Sequence, residues 1–452
     1  MRKRVYLGVS SLFVLSMLAL FASSAMAGDA PAAPPKIDTG DNAWLLASSA
    51  LVLIMTPGLA LFYGGMVRAK NMVNTMWLSF IVICIVSVQW VLWGYSLSFA
   101  TGNWFIGGLQ WCGLGAGAVG QAPSDLYATT VPHLSFMIFQ CMFAVITPAL
   151  MTGSFAERIK FSGFLFLLVL WISAVYDPIA HWVWATDGWL CKLGALDFAG
   201  GTVVHITSGA SGLAVCLFVG KRKGYPKEVK PPHNIPFIML GAALLWFGWF
   251  GFNAGSAVAA NGLAASAFVV TNTATAMAAI TWSVLDWIHH QKPNLFGACS
   301  GAVAGLVAIT PASGYVGPMA SVAIGVGAGL ICFYSVVKMK KAFGYDDALD
   351  AVGVHAMGGT WGAFATGIFC STAVNPAGAD GLIYGYSHIA QLGKQCLGIL
   401  SSWGWAFGIT SLLAWFVNAT VGLRPSEAEE ITGMDLSQHK EIAYHYYESE
   451  QA

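Results

Sequence analysis

Charge is what this sequence has least of. Only 9% of its 452 residues are Asp, Glu, Lys or Arg, and they cancel to a formal net charge of zero. A soluble domain carries roughly one-quarter charged residues, so the composition points away from a water-soluble fold. With no net charge there is no basic face for nucleic acid and no acidic excess that calls for a cationic partner. The nine cysteines include no C-x-x-C pair and no Cys/His metal spacing; most lie in apolar runs, where Cys behaves as a small hydrophobe. An H-E-x-x-H pair, a G-x-S-x-G elbow, a metal-completing carboxylate cluster and a phosphate-binding glycine loop are all missing. Neither an enzyme nor a bound metal or cofactor is therefore expected.

Hydrophobicity takes the place of charge. Hydrophobic residues make up 57% of the chain and the mean hydropathy is +0.67. Residues 1–27 read as a signal peptide: Arg2, Lys3 and Arg4, an apolar run from Val5 to Phe21, and the small-residue box Ala25-Met26-Ala27. Residues 28–41 follow as a short periplasmic arm rich in Pro and Ala. A membrane helix needs about 20 apolar residues. Eleven stretches qualify, at 42–66, 72–98, 132–156, 161–184, 198–220, 235–256, 261–287, 294–311, 315–338, 351–373 and 392–421. The expected fold class is an all-α polytopic membrane protein with eleven transmembrane helices in 42–421. Lys and Arg resist translocation and so fix the orientation. They crowd alternate connections: Arg68 and Lys70; Arg158 and Lys160; the 221–230 loop; Lys292; then Lys338, Lys340 and Lys341. The mature N-terminus is thereby placed outside and the tail, 422–452, in the cytoplasm, in a cell inner (cytoplasmic) membrane. Cys112 and Cys191 fall in loops read as external, where a disulfide between them is left open.

The fifth and tenth spans share a pattern. Val204-His205 is followed by Gly209 and Val354-His355 by Gly359, and each has a carboxylate upstream, Asp197 and Asp350. Five spans separate the copies, and an odd number inverts the second: a five-helix inverted repeat, about 42–220 and 235–373, with 392–421 as a last helix. That symmetry brings His205 and His355 together near the bilayer centre. An ionisable group there is costly and marks a conduction or proton path, against the plainer reading of a packed, hydrogen-bonded histidine. Asp197, just ahead of the fifth helix, suits a capping role better than cation ligation. Trp249 reads as packing, and Tyr63 as facing either half of the path.

Five motifs then carry a resemblance: Pro57-Gly58-Leu59-Ala60-Leu61-Phe62-Tyr63-Gly64-Gly65; Ala156-Glu157-Arg158; Asp197-Phe198-Ala199-Gly200-Gly201-Thr202-Val203-Val204-His205; Trp249-Phe250-Gly251-Phe252-Asn253-Ala254-Gly255-Ser256; and Gly353-Val354-His355. In this order and spacing the chain resembles the ammonium transporter (Amt/Mep/Rh) superfamily over nearly all its mature length. The resemblance implies the Amt-type fold, a homotrimer with one pore per subunit, and ammonium or ammonia as cargo. By position Phe143, Trp184 and Ser256 match an outer recruiting site with Phe139 beside it. Phe143 and Phe252 match a stacked gate, and His205 and His355 the twin pore histidines. Trp184 favours the bacterial and archaeal Amt branch; the loop from Trp184 to Asp197 looks slightly longer than in related bacterial members.

Those residue types suit that cargo. Aromatic faces attract a partly desolvated cation, and a serine hydroxyl accepts an N–H that ammonium has and potassium lacks. Burying either ion costs of order 20 kcal/mol in the idealised limit, whereas ammonia is neutral. The expected route is deprotonation below the outer site, ammonia past the gate and the histidines, and separate electrogenic proton transfer. In the tail, Gly433, Asp435, His439, Glu441 and Tyr444 resemble an ordered regulatory segment, which implies docking of a PII-type nitrogen signal protein. The alternatives are an ammonium sensor signalling through a partner and a passive NH3/CO2 gas channel of Rh type.

Overall fold

The computed structural model describes residues 37–228 and 230–444. The signal-peptide reading, most of the arm reading and the end of the tail lie outside the described residues. The helices are α1 Thr39–Met66, α2 Ala69–Phe99, α3 His133–Phe155, α4 Phe161–Leu193, α5 Gly201–Val219, α6 Ile235–Gly255, α7 Gly262–His290, α8 Leu295–Ile309, α9 Pro318–Phe343, α10 at 352–369, α11 Tyr386–Thr420 and the tail helix α12 Glu427–Thr432. Nine of these, among the described residues, are long and apolar enough to cross a membrane. The exceptions among the expected spans are α8 and α10. Pro311 follows the end of α8 and keeps that run short, whereas α10 has the length but carries His355 and several glycines that lower its hydropathy.

Boundaries shift where a cap decides them. α1 begins at Thr39, inside the stretch assigned to the arm, because the Asp38 carboxylate accepts from Gly40 N at 2.8 Å and Asp41 N at 3.0 Å. The all-α expectation is corrected by a short antiparallel hairpin, β1 Pro123–Ser124 with β2 Ala128–Pro132. Cys112 and Cys191 are both free thiols. α1 lies along α6, α7 along α8 and α9, and α5 between α3 and α11. α3 and α5 are the most enclosed spans. In α5 the run Ser208, Gly209, Ala210, Ser211 and Gly212 is small enough for close helix approach.

The Lys/Arg-bearing ends are tied together by a buried ion-pair network. Glu157 pairs with Arg68 Nε at 2.8 Å and Arg222 Nη1 at 2.9 Å, and accepts from Asn71 at 2.8 Å. Arg222 also reaches Asp346 at 2.8 Å. Arg158, fully buried, donates to the carbonyls of Gly220, Ala156, Ser154 and Asp346. The tail docks onto this network. Met434 N donates to Asn71 Oδ1 at 2.8 Å, and the Asp435 carboxylate caps α2 through Val73 N at 3.0 Å and Asn74 N at 2.8 Å. His439 meets Asn74 at 3.0 Å, and the Tyr444 hydroxyl meets His233 at 3.0 Å. Gly433 sits at φ 110° where the chain turns over Lys70. Glu441 is exposed, and its amide donates to Asp435 O at 3.3 Å. Glu430 was not singled out from the sequence, yet it is buried, accepting from Lys223 N at 2.8 Å and Arg424 at 2.7 Å.

Burial pushes the Glu157 carboxyl up, but Arg222 and then Arg68 outweigh it and hold it below the usual glutamate value. The stability this supplies is complete above the unfolded pKa and is lost as pH falls through the lowered one. Amide exchange at 68–74 and 220–223, corrected for its intrinsic rate, is therefore expected to stay flat down to about pH 5 and to rise below about pH 4. Glu157→Gln is expected to raise it at neutral pH and to flatten its pH dependence, since breaking a buried pair from one side costs about 3 kcal/mol.

Candidate functional site

The residues singled out from the sequence fall in three layers. In the first layer α3 supplies Phe139 and Phe143, the break in α4 supplies Trp184, and α6 supplies Phe252, with Ser256 just past its C-terminal end. The Phe143 ring lies 5.0 Å from Phe139, 5.7 Å from Trp184 at 89°, and 4.3 Å from Phe252 at 34°. Phe139 also packs against Gly255. Ser256 Oγ donates to Phe252 O at 2.8 Å, one helical turn back. Its hydrogen is thereby used and its lone pairs are left to accept. Trp184 Nε1 donates to Asp197 O at 2.9 Å, which fixes the indole over the phenyl rings.

Asp197 anchors the next layer. Its carboxylate accepts from Gly200 N at 2.8 Å, Gly201 N at 2.6 Å, Thr202 N at 2.8 Å and Val203 N at 3.2 Å, and from the Thr202 hydroxyl. Gly200 at φ 112° turns the chain into a π-helical turn, Gly201–Ile206, that carries His205. The same device recurs ahead of His355: Asp347 accepts from Val352 N at 2.8 Å and heads the π-helical turn Val352–Ala356. Each aspartate stands eight residues before its histidine, 197 to 205 and 347 to 355. The counterpart of Asp197 is thus Asp347, not Asp350, which pairs instead with Lys340. Burial, and then the neighbouring Asp350, push the Asp347 carboxyl up to about 6.

The histidine rings stack 5.5 Å apart at 21°. Both nitrogens of His205 and Nδ1 of His355 are buried with no hydrogen-bond partner among the described residues. Close approach of the two helices needs both glycines of the repeat. A Cβ on Gly209 would sit 2.3 Å from Ala356 N, and one on Gly359 would sit 3.0 Å from His205 Cβ. Trp249 stacks on His205 at 5.3 Å and 19°, and Phe252 lies 6.0 Å from the same imidazole. Trp249 Nε1 donates to Thr310 Oγ1 at 2.8 Å.

In the third layer Tyr63, which the sequence leaves undecided, donates to Leu150 O at 2.9 Å. It lines a narrow cavity with His355, Phe62, Val303 and Asp350. Asp350 also borders a charged cavity of about 320 Å³ among Arg68, Glu157, Arg222 and Lys340. The arrangement is therefore an aromatic cup with a lone-pair oxygen, a lid of two phenyl rings, two imidazoles with free nitrogens, and a polar cavity beyond His355. Asp347, Thr310 and the π-helical turns escaped the sequence reading. A count of the Asp-to-His spacing would have found the first; nothing local to the sequence signals the second.

The pattern of the Ammonium Transporter Family matches residues 43–444. The chain is 52% identical to the ammonium transporter of Bacillus subtilis, covering 90% of this chain and 98% of that one. It is 48% identical to ammonium transporter Amt1 of Archaeoglobus fulgidus, covering 90% and 99%. Among solved structures, Candida albicans Mep2 superposes with a TM-score of 0.81 at 38% identity, covering 87% and 88%. A sensor Amt protein superposes at 0.80 with 27% identity, covering 88% and 98%.

Asp197→Asn replaces one acceptor oxygen with a donor against a ring of N–H groups. The substitution is expected to cost about 3 kcal/mol. It should lower the melting temperature in detergent and free the Trp184 edge; unchanged melting would rule out the cap.

Proposed function

The chain belongs to the Ammonium Transporter Family, and from that premise we propose that it moves ammonium across a cell inner membrane by conducting the neutral base. Ammonium is recruited against Phe143, Trp184 and Ser256, with Phe139 behind them. It gives up a proton below that cup, and ammonia passes the Phe143/Phe252 lid to the free nitrogens of His205 and His355. The proton follows a separate polar path, so transport carries net charge. The observation that carries this reading is the stacked imidazole pair with unpartnered buried nitrogens behind a lid of phenyl rings. Neutral imidazoles offer hydrogen bonds to ammonia, whereas a permanent cation meets a desolvation cost of order 20 kcal/mol in the idealised limit.

The proposal extends to architecture. α8 and α10 complete eleven spans with the nine longer helices, and the paired Asp and His turns support an inverted repeat. The crowding of Lys and Arg at alternate connections supports an N-terminus outside and a cytoplasmic tail. The subunits form a homotrimer, and the docked tail is the surface for a PII-type nitrogen regulatory protein. A second reading, ammonium sensing through a separate partner, draws on the likeness to the sensor protein and on the tail's contacts with α2.

Reconstituted liposomes decide among these. An ammonium jump is expected to evoke current and a potassium jump none, with His205→Ala plus His355→Ala lowering the ammonium current. Potassium current equal to ammonium current ends the proposal; uptake without current favours the passive gas channel, and neither uptake nor current favours the sensor. Ser256→Ala is expected to weaken apparent ammonium affinity about fivefold, the worth of one hydrogen bond.

A further inference from the structure

Thr310 closes α8, far in sequence from either histidine, and is fully buried. Its hydroxyl is committed twice. The hydrogen goes to Leu306 O at 2.7 Å, and the oxygen accepts from Trp249 Nε1 at 2.8 Å. The first bond aims the oxygen and the second pins the edge of the indole. Trp249 is 1% exposed, so its N–H has no recourse to water. The pinned ring presents its face to His205 at 5.3 Å and 19° and stands 5.2 Å from Phe252.

We propose that Thr310 is a positioning residue for transport: by holding the Trp249 indole edge-on to α8, it keeps that N–H away from His205 and leaves the imidazole nitrogens free for ammonia. The inference rests on the conduction reading above. Its physical basis is the cost of an unpaired buried donor. An indole N–H deprived of Thr310 must find another acceptor, and the stacked imidazole carries two nitrogens that lack a partner. A turned indole would occupy the acceptor that ammonia needs. The hydroxyl thus acts on the path without touching the cargo, and valine, which matches threonine in shape but cannot accept a hydrogen bond, isolates the effect.

The test is uptake of isotope-labelled ammonium into liposomes carrying the full-length protein, scored per folded protein. Thr310→Val is expected to slow uptake about tenfold, and Thr310→Ser, which keeps the oxygen, to stay within about twofold of the native chain. Trp249→Phe keeps an aromatic face and removes the N–H, so adding Thr310→Val to it should change nothing further. Native rates with Thr310→Val overturn the inference. So does failure of serine to rescue, or an equal loss from valine in both backgrounds, which would mark general packing damage. If Trp249→Phe is itself inactive, the serine and valine arms decide alone. Native protein that takes up no more ammonium than empty liposomes sinks the conduction reading and this inference with it, whereas native uptake that is indifferent to Thr310→Val sinks the inference only.

Discussion

The cost of burying charge governs the whole arrangement. A membrane-spanning bundle offers no water to a side chain or a cargo at its centre, so every polar group there must be paired within the protein or be neutral. The structure sorts its groups accordingly. Fixed charges gather at helix ends, where Glu157, Arg222 and Asp346 neutralise one another. The middle holds imidazoles, walled by Trp249 and Phe252. On the proposed function the same rule sorts the cargo, and the proton must leave before the phenyl lid rather than behind it.

Placing an imidazole at such a spot requires a backbone that can carry it, and two aspartates provide this. Asp197 spends its carboxylate on four amides and a hydroxyl. That saturates a group with about four lone-pair sites and leaves little with which to bind a cation. Its role is to hold the turn beneath it and, through its carbonyl, the Trp184 indole above. Asp347 does the corresponding work for His355 with fewer donors. Its Oδ1 has no partner among the described residues, and burial together with Asp350 keeps its carboxyl up at about 6. The two halves thus share a device while differing in how completely it is satisfied.

Much of this was legible in the sequence because membrane spans are written in composition and length. The long helices fall close to their expected ranges, and the histidines stand out as ionisable residues at matched positions in apolar runs. Legibility ends where a contact joins distant residues or where a side chain sets a boundary. Thr310 and Trp249 meet across two helices, and no local pattern ties position 310 to 249. Glu430 reads as one more acid in a polar tail until Lys223 and Arg424 close on it. The start of α1 moved because Asp38, assigned to an arm, is a cap. Acidity upstream of a histidine points to Asp350 as the partner of Asp197. The capping bonds, not the acidity, identify Asp347.

The docked tail and the paired histidines share neighbours. Met434 bonds Asn71, Asn71 bonds Glu157, Glu157 pairs with Arg222, and Arg222 with Asp346, the residue before the aspartate that heads the His355 turn. A contiguous route of this kind is not itself coupling, which requires an element with two arrangements that both ends bias. The tail becomes such an element only if a second arrangement releases its bonds to α2 from Ile431, Met434, Asp435, His439 and Tyr444. A partner that prefers one tail position shifts the balance only by its difference in affinity for the two. Because Asn71 and Arg68 both contact Glu157 beside the charged cavity, such a shift would act first on that cavity and reach the imidazoles through the Asp347 turn.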